Sequence, residues 1–208
     1  MHKEAVCFIK KISVLLSKYF LNKMVLDVGG GDINGNNRIV FSDCDYNCND
    51  VCPSPNVTCV SRTKCLPFDN NSFDTIISTE CFEHDPEYKD SFLKIYDLLK
   101  PNGLFLFTCA STGRPEHGTR RSKPHQSYGT INDIEDMRDY YKNLTEKDLN
   151  EVLNLNKNFA VWKTYYNSFS KDLYFFGIKK GQNDKWIHEQ YCDFIYDEPY
   201  VVETTKNI

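Results

Sequence analysis

Residues 24–36 read MVLDVGGGDINGN: an apolar run broken by one acid, three consecutive glycines at 29, 30 and 31, then small and polar residues. The VLDV segment, 25–28, is short, β-prone and ended by glycine, the pattern of a strand buried on both faces. Glycine directly after such a strand frees the backbone for φ > 0 and lets a ligand touch the main chain. The stretch predicts a strand, a bare turn, and something held against that turn.

Outward from it, the spacing predicts a helix over about 36–42 and strand candidates at 46–50 and 57–60. A stronger strand spans 72–78 (SFDTIIS), where Phe73, Ile76 and Ile77 are β-prone and Asn70-Asn71 turns the chain before them. Asp85-Pro86 predicts a helix start, with Asp as N-cap and Pro at the first position. Phe92, Ile95, Tyr96 and Leu99 recur at helical spacing until Lys100-Pro101-Asn102-Gly103 stops the helix. Residues 104–108 make another buried strand. Strand, glycine loop, helix and strand in alternation define an α/β chain with an open parallel sheet covered on both faces.

Residues 110–130 are rich in Ser, Thr, Gly, Pro and charge, and run longer than a compact domain carries without a functional reason. Short helices are expected near 132–141 and after the cap Thr145. A closing hairpin is expected from 159–166 and 173–179, joined through 167–172. Residues 184–208 are acidic and aromatic and receive no assignment.

The chain has 208 residues, enough for one substantial core and a single domain. Its 25 basic and 29 acidic residues give a formal charge of -4, and no Lys/Arg block offers to neutralise a phosphate backbone, so nucleic acid is not an expected partner. The first 22 residues read as an amphipathic helix packed on the domain, with Val6, Ile9, Val14, Leu15 and Leu16 as its buried stripe. No apolar run is long enough for a membrane span. Nine scattered cysteines fit reduced thiols and a cytoplasmic location. Cys44, Cys48 and Cys52 lack the paired spacing of common zinc sites, and no metal is expected.

The glycines at 29, 30, 31 and 35 match neither G-x-G-x-x-G nor a P-loop, which disfavours a phosphate cradle. A nucleoside without phosphates suits the turn better. An acid ending the next strand would then bind the ribose; Asp50 stands there, with Asp43 and Asp45 as competitors and a loop cap as the bland alternative.

VLDVGGGD (25–32), YNCND (46–50), LPFDNNSFDTIISTECFEH (66–84) and LLKPNGLFLFT (98–108), in that order, resemble the class I S-adenosylmethionine-dependent methyltransferases, in the branch with an E-x-x-EH-like fourth motif. The resemblance covers roughly half the chain. It implies a Rossmann-like, doubly wound, mostly parallel seven-stranded sheet with an antiparallel C-terminal hairpin, S-adenosyl-L-methionine as cofactor, and a methyltransferase domain over 23–180. An acceptor-binding insertion at about 110–156 and a C-terminal extension at 181–208 complete the layout. Asp27, Gly29, Gly30 and Gly31 are implied to shape the methionine pocket, Asp50 to hold the ribose, and Ser78, Thr79 and Glu80 to lie beside the sulfonium. Two positions depart from the pattern: Ile33 replaces a third glycine, so residues 32–35 turn differently, and Arg62 stands where an acid often meets the adenine, leaving that contact to Thr63.

A hydroxyl acceptor needs a base of near-neutral pKa, for which histidine is the natural type. His117, in STGRPEHGTRR beyond the fifth strand, and His84, in CFEHD beyond the fourth, are the catalytic candidates; backbone bonding for His84 and a solvated loop around His117 are the bland readings. Arg114, Arg120 and Arg121 have the geometry to clamp a carboxylate or phosphate, with Glu116 among them and Tyr128 as a stacking surface. The reading is therefore O-methylation of a small-molecule or carbohydrate acceptor, with a second copy of the chain as the one macromolecular partner considered. Two alternatives stand beside it: a noncatalytic nucleoside-binding subunit of the same fold, and an NAD-dependent sugar-modifying enzyme, whose G-x-x-G-x-x-G is absent.

Overall fold

Val25, Leu26 and Val28 are fully buried, and their strand β1 (Met24–Val28) lies inside the sheet between two parallel neighbours. In the computed structural model, which describes residues 2–33 and 35–203, that sheet continues with β2 (Asp45–Asp50), β3 (Cys59–Val60), β4 (Phe73–Thr79), β5 (Leu99–Ala110), β6 (Phe159–Asn167), β7 (Asp172–Lys179) and β8 (Val201–Glu203). Spatial order is β3-β2-β1-β4-β5-β7-β6-β8. The first five strands are parallel, and β7 slots antiparallel between β5 and β6. This is the Rossmann-like sheet with its antiparallel hairpin, extended by β8 on the free edge of β6. The tail from 184 onward, unassigned from sequence, thus supplies an edge strand. Asn34 of the expected turn and 204–208 of the C-terminal extension lie outside the described residues.

Among the described residues six α-helices accompany the strands: α1 (Lys3–Leu15), α2 (Tyr88–Leu98), α3 (Tyr128–Ile131), α4 (Glu146–Val152), α5 (Leu155–Asn158) and α6 (Asp184–Tyr191). Strand side chains alternate between faces, so β5 sends Phe105 and Phe107 one way and Leu104 and Leu106 the other. Phe92, Ile95 and Leu98 of α2, with Leu149 and Leu155, cover the first face. Phe8, Ile9 and Ile12 of α1 and Ile187 of α6 cover the second.

Several local expectations shift. The helix over 36–42 is a short 3-10 turn, Asn37–Val40, capped by Asn36. Asp85 does not cap α2. Its Oδ1 accepts from the Glu87 backbone N–H at 2.8 Å, an Asx-type turn that delays the helix to Tyr88. The 132–141 helix is replaced by α3 just upstream, followed by turns, with Asp133 at φ +53 ending the helical path. In α1, Val14 and Leu15 are exposed; Ile9 is buried as expected, as is Leu16 just past the helix, and Ala5, Phe8 and Ile12 complete the stripe.

Register decides where chemistry can occur. Val28 sits level with Asn49 and with Ser78, so the carboxyl ends of β1, β2 and β4 open onto one hollow.

Candidate active site

That hollow is a cavity of about 920 Å³ out to its open mouth, walled by Gly29, Gly30, Gly31, Asp50, Arg62, Thr63, Thr79, Glu80 and His84, with 126–129 and Met137 of the insertion facing them. Asp50 is 9% exposed. Its Oδ2 accepts from the Gly31 N–H at 3.0 Å and its Oδ1 from the Val51 N–H at 2.7 Å. A carboxylate offers about four acceptor positions, so capacity remains on each oxygen for a diol. Burial raises its pKa, against the backbone N–H groups that favour the charged form.

The bare turn is required at Gly31. A Cβ there would stand 2.5 Å from Asp50 Oδ2 and closer still to the Tyr128 ring. Asp27 lies behind the turn, fully buried, accepting from Tyr46 Oη and from Asn37 Nδ2 at 3.1 Å. Burial pushes it up to about 6, the Tyr46 and Asn37 bonds resisting. Asn37 also donates to Thr79 Oγ1 at 3.2 Å, tying the turn to the end of β4. Ser78 is buried off the cavity, its hydroxyl donating to Val28 O. Glu80 takes φ +54, a strained value for a non-glycine residue, and accepts from Thr108 Oγ1 at 2.8 Å.

Arg62 reaches the wall, yet its guanidinium is committed: bidentate to Asp136 at 2.6 Å for each bond, and to Glu87 at 3.0 Å. It pins the insertion to the rim. Tyr128 faces the cavity. Arg120 and Arg121 are exposed and paired with Asp139, and Glu116 accepts from Thr119 and Arg121. Arg114 turns to Ser170 O at 2.6 Å and to Asp172. The loop arginines thus answer their own carboxylates instead of the cavity.

His84 belongs to the cavity wall, and His117 stands behind it with ring centroids 5.0 Å apart and Tyr141 against both. Burial lowers His84 to about 3 and lowers His117 as well, so both rings are neutral at pH 7. Beside them Glu83 is fully buried, its pKa pushed well up by desolvation and then by Glu80. Sequence reasoning passed over Asn37, Glu83 and Met137; Glu83 alone left a signal, the acid preceding His84.

Residues 2–162 match the methyltransferase-domain family, and the chain belongs to it. Its sheet order and the solved structures it resembles give it the class I methyltransferase fold. Over 53 residues it is 38% identical to phosphoethanolamine N-methyltransferase 2 of Caenorhabditis elegans, a match spanning 26% of this chain and 12% of that enzyme. In fold it is similar to the Burkholderia thailandensis 1,6-didemethyltoxoflavin-N1-methyltransferase, solved with 1,6-didemethyltoxoflavin and S-adenosylhomocysteine: TM-score 0.57, 18% identity, 85% of this chain and 79% of that one. The Haemonchus contortus phosphoethanolamine N-methyltransferase 2, with phosphomonomethylethanolamine and S-adenosylhomocysteine, gives TM-score 0.55 and 16% identity over 82% of this chain and 52% of that one. Among the described residues no helix is long and apolar enough to cross a membrane.

Proposed function

We propose that the chain transfers a methyl group from S-adenosyl-L-methionine to a hydroxyl of a small polar acceptor, carbohydrate-like in kind, bound between the end of β4 and the 110–156 insertion. The observation that carries this reading is Asp50, buried at the cavity wall, bonded to the Gly31 N–H at 3.0 Å and retaining acceptor capacity for a ribose diol. Gly31, whose Cβ would fill the space beside that carboxylate, fits a ligand lying on main chain. When bound, the donor supplies an electrophilic methyl carbon on a sulfonium sulfur.

The chain's own contribution is alignment and handling of a proton. Thr79 and the strained Glu80 border the space where donor and acceptor meet, and the insertion residues across from them exclude water. His84, neutral at the wall, would receive the proton of an acceptor hydroxyl, with His117 and Glu83 behind it. Methylation of an amine is the second reading. It is favoured by the similarity to phosphoethanolamine N-methyltransferases in sequence over 53 residues and in fold.

Calorimetry with S-adenosyl-L-methionine tests the donor site; no heat at millimolar ligand would remove the reading. A screen for S-adenosylhomocysteine release, run over nucleotide sugars, glycans and small phosphorylated amines, then assigns the acceptor atom.

A further inference from the structure

Glu83 and His84 leave the turn after β4, and His117 comes from the loop after β5. All three are buried, at 0%, 6% and 9% exposure. One donor atom from each lies within 4.8 Å of the other two. Neither carboxylate oxygen of Glu83 nor Nδ1 of His84 has a hydrogen bond of normal geometry among the described residues, the Glu83 and Ala110 backbone N–H groups reaching the carboxylate only loosely. Buried polar atoms are almost always bonded, and unpartnered atoms on two adjoining side chains, with a His117 nitrogen close by, point to a species that the described protein atoms alone do not supply.

The tautomer of His117 is fixed by main chain. Its Nδ1 donates to Pro115 O at 3.1 Å, which leaves Nε2 a bare lone pair, 4.0 Å from Glu83 Oε1. When Glu83 is ionised, its carboxylate and that nitrogen are two acceptors that a cation between them would satisfy. A ring nitrogen anchored to a backbone carbonyl opposite the free one is also how metal-ligating histidines are oriented. Gly118, at φ +65, makes the approach possible, since a Cβ there would stand 2.6 Å from His84 Cε1.

We propose that Glu83, His84 and His117 hold a divalent first-row transition-metal ion at the inner wall of the cavity. Two imidazole nitrogens and one carboxylate oxygen suit Mn²⁺, Fe²⁺, Co²⁺ or Zn²⁺, against the all-oxygen sets of Mg²⁺ and Ca²⁺ and the thiolates of Cu(I). Bonds of about 2.0–2.2 Å require donors roughly 3–3.5 Å apart, so from separations of up to 4.8 Å the three side chains must close in on the ion. Three protein ligands leave coordination positions open, and of the three His84 lines the cavity.

The role of the ion rests on the methyl-transfer reading. The acceptor hydroxyl binds the ion through oxygen and releases its proton to water. That oxygen then forms the new C–O bond while the C–S pair returns to sulfur. With the ion bound the imidazoles serve as ligands, which replaces the proton-handling role of His84.

The test reads binding without donor or acceptor. The full chain, stripped with chelator, is titrated with CoCl₂ alone. Ligand-field absorption in the visible saturating at equimolar Co²⁺ is expected, with Glu83→Gln and His117→Ala each weakening the apparent affinity by at least about a hundredfold. Affinity for S-adenosyl-L-methionine in both variants should stay within about twofold of wild type. Should the variants fail to fold, Mn²⁺ added to the wild-type chain must broaden the ring signals of His84 and His117 before those of His125 and His188. Absence of bands at millimolar Co²⁺, bands surviving both substitutions, or broadening elsewhere first would overturn the site. Donor binding without cobalt bands would remove the ion and leave the methyl-transfer reading intact; cobalt bands without donor binding would do the reverse.

Discussion

Asp50 is held by two backbone N–H groups and walled from water, so its carboxylate is oriented before any ligand arrives. Each charge-assisted hydrogen bond to a diol is worth roughly 1.5–3 kcal/mol. Asp50→Ala should therefore weaken S-adenosyl-L-methionine binding by at least about tenfold in calorimetry, the equivalent of ~1.4 kcal/mol. Gly31→Ala should cost at least as much, for a different reason. Its new methyl meets both Tyr128, a side chain on the insertion that can turn aside, and Asp50, which its N–H bonds hold in place. Adding Tyr128→Ala to Gly31→Ala should thus recover only part of the affinity. Full recovery would show that Asp50 yields as easily as the ring.

At the scale of elements, the sequence displayed whatever is governed by burial over a few consecutive residues. β1 and β4 carry apolar runs ended by glycine or polar residues, and the α2 stripe of Phe92 and Ile95 repeats with the helix. Asp50 was placed because it ends a strand directly beside β1. Arg62 illustrates the opposite: its partners lie 25 and 74 positions away, so no local pattern reports that it clamps Asp136. β8 is three residues long and needs the edge of β6 to exist. The cap at Thr145 was legible because a capping box is local. Thr145 and Asp148 exchange side-chain and backbone bonds at the start of α4, with the Thr145 N–H donating at 2.9 Å. Thr145→Ala should lower stability by ~1 kcal/mol, read as a drop of roughly 2–4 °C in melting temperature.

Across the whole molecule, His2 joins three parts of the chain that sequence separates. It precedes α1, and its Nε2 lies 2.8 Å from Asp172 Oδ2 at the head of β7 and 3.2 Å from Glu80 Oε2 beyond β4. Burial opposes a charge on the ring, but the two carboxylates outweigh it and raise the pKa to about 10. The protonated form is therefore the one that stabilises the fold. An unfolded histidine titrates near ~6.5, so the contribution is complete below that pH, declines as pH rises, and is gone once the folded-state value of about 10 is passed. Melting curves of the wild type and of His2→Gln, compared from about pH 6 to pH 10.5, should differ most at the acid end and converge at the alkaline end. A gap that stayed constant would mean that His2 acts through packing alone. A gap that widened with pH would reverse the sign and place a neutral imidazole between those carboxylates. The expected convergence instead makes the first turn of α1 a cationic clasp on the strand ends that border the cavity.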